Sequence, residues 1–64
     1  RFAERLKLLA ENPSHPLLKK HHLHGKYSKS MSINITGDWR IIFQYVSHDT
    51  IELQRIGTHS QLYK

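Results

Sequence analysis

The sequence predicts an α+β domain in which one helix packs on a small antiparallel sheet, and three features carry that reading. Apolar residues recur at helical spacing near the start of the chain, the period shortens to two from Met31 onward, and two turn signals cut the later half into strands. At 64 residues there is room for one domain only, and a chain of this size buries only about 60% of its unfolded surface.

The helix comes first. Phe2, Leu6 and Leu9 fall at i, i+4 and i+7, with Arg1, Glu4, Arg5, Lys7 and Glu11 on the polar positions. No capping residue precedes Phe2, so the opening reads as mid-helix with its start lying upstream. The helix is expected to stop near Asn12, because Pro13 disfavours the α region for the residue before it, and Asn tolerates a left-handed C-terminal conformation. Residues 12–26 form a connection, with Pro16 opening a single turn through Leu17, Leu18 and Lys19.

The strands follow. Met31, Ile33 and Ile35 alternate with Ser32, Asn34 and Thr36, giving a strand with one apolar face. Gly37-Asp38 marks a hairpin. Residues 39–46 are apolar or aromatic except at Arg40 and Gln44, which predicts a central strand covered on both faces. Trp39, Phe43 and Tyr45 share one face of it and read as core rather than as a base-stacking platform. After the turn Ser47-His48-Asp49-Thr50, a third strand over 51–56 alternates Ile51, Leu53 and Arg55 against Glu52, Gln54 and Ile56, placing Arg55 on the inner face. The expected sum is a helix, a basic loop and a three-stranded meander, with the helix as the cover for the sheet's apolar face. Residues 57–64 are left as a tail.

Composition narrows the chemistry. There is no cysteine, so disulfide scaffolds, thiolate metal sites and cysteine nucleophiles are excluded. No apolar run is long enough for a transmembrane helix or a signal-peptide core, and a cytoplasmic protein is expected. Ten Lys+Arg stand against five Asp+Glu. Between Glu11 and Asp38 no acidic residue occurs, while Lys19, Lys20, Lys26, Lys29, His15, His21, His22 and His24 all fall there. Such a one-sign window is either a phosphate footprint or a solvated basic loop. The cluster His21-His22-x-His24 lies on an irregular loop without a neighbouring Cys, Asp or Glu, so it suits phosphate contact better than zinc.

Arg40 is the anomaly of the central strand. Either its stem covers the sheet with the guanidinium at the rim, or the guanidinium is held on the sheet to take a phosphate. Arg55 raises the same question, and two such arginines would repel unless an anion or a carboxylate such as Asp38 lies between them. His59 and Tyr63 add a group that titrates near neutrality and a phenol. Together these are the parts for cleaving RNA through its own 2′-OH: proton acceptor, proton donor and cations for the phosphorane.

The order His15-Pro16-Leu17, His21-His22-Leu23-His24-Gly25-Lys26, Asp38-Trp39-Arg40-Ile41-Ile42-Phe43 and Ile56-Gly57-Thr58-His59-Ser60-Gln61-Leu62-Tyr63 resembles the RelE/ParE toxin superfamily, and within it the YafQ-like and RelE/StbE-type mRNA interferases of bacterial toxin-antitoxin modules. The resemblance spans essentially the whole chain. It implies a RelE-like sheet packed on two N-terminal helices preceded by a first strand, so that residues 1–64 are a single domain lacking its N-terminal part. By the same resemblance Asp38, His21, Arg55, His59 and Tyr63 correspond to the YafQ-like active site, and Arg40 to the RelE-like arginine at the scissile phosphate. One position departs from the pattern: four residues before Asp38, where YafQ-like enzymes carry a second catalytic His, this chain has Asn34, which cannot transfer protons.

The function implied is ribosome-dependent cleavage of mRNA without a cofactor or metal. His59 would be the principal acid or base, with His21 or Asp38 as its partner, and Lys19, Lys20, Lys26, Lys29 and His24 would hold mRNA and ribosomal RNA in the A site. A cognate antitoxin is the expected protein partner, no membrane is involved, and an exposed sheet edge would invite dimerisation. Two alternatives remain: a non-catalytic gyrase inhibitor of the ParE type, and a decayed toxin that retains only antitoxin binding.

Overall fold

The computed structural model describes residues 1–25 and 28–62. Helix α1 (Phe2–Glu11) is followed by a single 3₁₀ turn over Pro16–Leu18, then by strands β1 (His21–His22), β2 (Met31–Thr36), β3 (Trp39–Ser47) and β4 (Thr50–Thr58), and by a short helix α2 (His59–Leu62). The strands form one antiparallel sheet in the order β1-β2-β3-β4. The architecture is α+β, as the sequence predicts. It differs from the expected meander in having four strands among the described residues, because the loop histidines His21 and His22 pair with Ser32 and Met31.

The ends of the first elements follow the local chemistry. α1 stops at Glu11, with the Asn12 N–H donating to Leu8 O at 2.7 Å. Asn12 is not left-handed: at φ −150° and ψ 79° it simply lies outside the α region, which a following proline disfavours. In the 3₁₀ turn the left-handed residue is Lys19, with φ 46°. The turn begins with His15 Nδ1 accepting from the Leu17 N–H at 3.1 Å.

One face of the sheet carries the main core. Leu9, Leu18, Ile33, Ile35, Ile41 and Phe43 are buried together, with Leu6, Leu8, Met31 and Ile51 packed around them. Arg5 Nε donates to Ile35 O at 2.9 Å and ties α1 to the end of β2. The coverage of β3 is narrower than its apolar composition suggests. Ile41, Ile42 and Phe43 are buried, but Trp39, Tyr45 and Val46 remain 46%, 41% and 59% exposed. A ten-residue helix is about 15 Å long and reaches only the middle of a nine-residue strand. Of the three aromatics on that face, only Phe43 is core; Tyr45 meets its edge at 5.6 Å between ring centroids.

The opposite face has a smaller cluster, Leu23, Ile42 and Leu62. Leu62 is brought there by α2, a helical turn where the sequence pattern predicts only a tail. Its start is a capping box: the Thr58 N–H donates to Gln61 Oε1 at 2.9 Å, and the Gln61 N–H to Thr58 Oγ1 at 3.3 Å. Close seating of α2 depends on Gly57, where an added Cβ would lie 2.9 Å from Gln61 Oε1 and 3.3 Å from Leu62 Cδ2. At the far end of the sheet, Ser47 and Thr50 hydroxyls donate to Asp49 and hold its carboxyl below the ordinary carboxylate range.

Two stability outcomes follow from this packing. Phe43→Ala should cost about 3–5 kcal/mol in urea melts, a large part of the roughly 3–10 kcal/mol available to a chain of this size, whereas Val46→Ala should stay within about 0.5 kcal/mol; equal losses would contradict the burial described. Gly57→Ala should cost about 1 kcal/mol by displacing Gln61 from the Thr58 amide, and amide NMR shifts should change around residues 58–62 while those of α1 stay put.

Candidate functional site

Register decides which side chains share the face opposite α1. Cross-strand partners point to the same side of a sheet. His21, Ser32, Ile42 and Arg55 therefore form one row across the four strands, and Asn34, Arg40 and Gly57 form the next. Strict alternation would put Arg55 with Ile51 and Leu53 on the core side. Instead β4 carries a bulge: Ile42 pairs with Arg55 and Phe43 with Leu53, which leaves Gln54 as the extra residue. Arg55 is thereby delivered to the face of Arg40. Gln54 is used there as well, accepting from Ser30 Oγ at 2.5 Å.

Arg40 sits centrally and half-buried on this face. Its Nη1 donates to Asn34 Oδ1 on the neighbouring strand. Its Nε is buried and finds no acceptor among the described residues. The two readings of this arginine are thus combined in one side chain: the stem lies on the sheet and the head is held at a defined place.

Asp38 and His59 are brought together by the backbone. The His59 N–H donates to Asp38 O at 3.1 Å, closing the start of α2 onto the β2–β3 turn. Because Trp39 pairs with Thr58 and Arg40 with Gly57, this junction adjoins the Arg40 row. Asp38 and His59 are both exposed, so an approaching ligand can reach them. The capping box fixes the first turn of α2, of which His59 is the first residue.

His21 stands apart. It lies on β1, at the opposite edge of the sheet from β4, so three strand spacings put its backbone about 14 Å from that of Arg55. Ile42, covered by Leu23 and Leu62, stands between them. The His21 ring is nonetheless oriented, since its Nδ1 lies 3.0 Å from Lys19 O. A carbonyl can only accept, so Nδ1 is the donor in this bond.

Lys19, His24 and Lys29 are exposed. Lys20 Nζ lies 5.7 Å from the centroid of the Tyr45 ring, on the α1 side of the sheet and away from Arg40. Lys26 and Tyr63 lie outside the described residues. On the α1 side there is also a groove of about 530 Å³ between α1 and the β3–β4 hairpin, lined by Leu6, Leu9, Ala10, Tyr45, Ile51 and Leu53 among others; it holds none of the candidate catalytic groups.

Three contributors were not assigned from the sequence: Gly57 and Gln61, which seat α2, and Asn34 as the partner of Arg40. The first two had a readable signal in Thr58-x-x-Gln61, a capping-box spacing. Asn34 had none, because its pairing with Arg40 depends on a bulge at Ile35.

The site thus combines a held guanidinium, a second arginine on the same face, and a histidine tied by its backbone to an aspartate. Searches among curated proteins and among solved structures give no match for the chain. The family model for the bacterial toxin of the type II toxin-antitoxin system, YafQ, matches residues 1–64. Among the described residues, no helix is long and apolar enough to cross a membrane. A toxin of this class has a cognate antitoxin as its partner, and the chain, matched along its whole length, belongs to the YafQ toxin family.

Proposed function

We propose that this toxin is a ribosome-dependent mRNA endoribonuclease that cleaves by attack of the ribose 2′-OH on the adjacent phosphorus. The observation that carries the reading is Arg40, held on the sheet face beside the junction where Asp38 O receives the His59 N–H. The nucleophile belongs to the substrate, so the protein needs to move protons and stabilise charge. The 2′-oxygen loses its proton and bonds to phosphorus, the P–O5′ bond breaks, and the 5′-oxygen takes a proton. The products are a 2′,3′-cyclic phosphate and a free 5′-OH.

In this reading His59 is the principal acid or base, and Arg40 and Arg55 carry the charge of the phosphorane. Two partners for His59 come from the sequence, Asp38 and His21. The backbone tie to Asp38 and the placement of His21 at the far edge support Asp38. His21, with its ring oriented by the bond to Lys19 O, suits a contact to a ribose hydroxyl or a neighbouring nucleotide. Tyr63 positions the nucleotide. Lys19, Lys26, Lys29 and His24 hold the backbone of mRNA and ribosomal RNA in the A site. Lys20, over Tyr45, is the least suited of the lysines to that task.

The test is mRNA cleavage in a purified translating-ribosome system, with 5′ ends mapped by primer extension. Native chain should cut within A-site codons, and His59→Ala should lower the rate about 10²–10⁴-fold. Native chain that leaves mRNA intact would reject the reading in favour of gyrase inhibition or antitoxin binding alone. A second outcome concerns the basic residues: Lys19→Gln with Lys29→Gln should weaken RNA binding and flatten its dependence on salt by about one to two phosphate contacts. An unchanged salt slope would remove these lysines from the RNA path.

A further inference from the structure

Arg40 has two register partners on its own face, Asn34 on β2 and Gly57 on β4. Gly57 offers no side chain. Asn34 Oδ1 accepts from Arg40 Nη1, while Arg40 Nε is buried without an acceptor among the described residues. Among the described residues, the hold on the guanidinium therefore comes through the Asn34 amide. With one Nη1 hydrogen so committed, the donors left for an incoming phosphate are the second Nη1 hydrogen and the pair on Nη2.

We propose that Asn34 is a positioning residue of the cleavage reaction, which aims the Arg40 guanidinium at the scissile phosphate without altering its charge. The inference rests on the reading above that Arg40 contacts that phosphate. The amide suits the task by its chemistry. A carboxylate at position 34 would accept the same bond but cancel the positive charge that the phosphorane requires. An imidazole would become a second cation beside Arg40 as pH falls toward the usual histidine range. An amide accepts the bond, stays neutral and keeps the clamp independent of pH. A side chain that cannot transfer a proton thus has a use at this position, in placing a charge.

A double-mutant cycle on the cleavage rate tests this, with kcat and KM measured separately. Asn34→Ala should lower kcat about tenfold, the worth of one charge-assisted hydrogen bond, with little change in KM. Arg40→Ala should lower kcat about 10²-fold or more. In the Arg40→Ala background, Asn34→Ala should then cost nothing further, because there is no guanidinium left to aim. Equal losses from Asn34→Ala in both backgrounds would overturn the proposal, as would an unchanged kcat in the single variant. Arg40→Ala with native kcat would overturn the assignment of Arg40 to the phosphate and the role of Asn34 with it, a result distinct from multiplicative losses, which reject Asn34 alone. If thermal melts show Asn34→Ala unfolded at the assay temperature, Asn34→Ser carries the same cycle.

Discussion

The structure depends on one matching condition: the apolar side chains of three strands must arrive on the same face of the sheet, under α1. Side chains alternate strictly along a strand, so a mismatch of one residue sends a whole strand's apolar set to the wrong side. The two tight turns alone would create such mismatches. From Thr36 opposite Trp39, regular pairing would set Asn34 against Ile41; the extra residue Ile35 lets Ile33 meet Ile41 instead. From Ser47 opposite Thr50, the extra residue Val46 lets Tyr45 meet Ile51. Further along, Gln54 lets Ile56 rather than Arg55 meet Ile41. Each bulge sacrifices ladder regularity so that apolar residues face apolar residues.

The same corrections build the other face. Every residue that a bulge moves onto the core side moves a polar neighbour away from it. Asn34 and Arg40 become direct partners, and Arg55 joins Arg40 on one side of the sheet. The candidate site is therefore a by-product of core matching, held by the same register. Its remaining parts come from the end of β4, where Gly57 leaves room for α2 and the Thr58–Gln61 capping box turns the chain so that His59 meets the carbonyl of Asp38. Burial of Leu62 against Ile42 and Leu23 secures that turn from beneath.

A domain this small cannot enclose everything apolar in it. Helix α1 reaches the centre of the sheet, so Phe43 and Ile41 are buried while Trp39, Leu53 and Ile56 on the same side stay about half exposed. The groove between α1 and the β3–β4 hairpin belongs to this uncovered margin. The two faces consequently differ in kind. One carries polar and cationic groups in defined rows, and the other combines a closed core with an open apolar border.

Local chemistry made much of this readable in the sequence. The helix, the turn at Pro16, both hairpins and the apolar strands each rest on interactions among residues a few positions apart, which is why period and turn residues announce them. The α+β class, the family and the candidate groups His59, Arg40, Arg55 and Asp38 come from the same reading. The edge strand at His21 and His22 was not legible, because its existence depends on pairing with Ser32 and Met31 across a loop rather than on its own two side chains. The facing of Arg55 was not legible either, since a bulge leaves no periodic trace and is decided by which residue it must bring against Ile41. Residue types and local elements were determined by the sequence itself. Which side chains share a face, and so which form the candidate site, was decided only when burial of the apolar side chains selected the register.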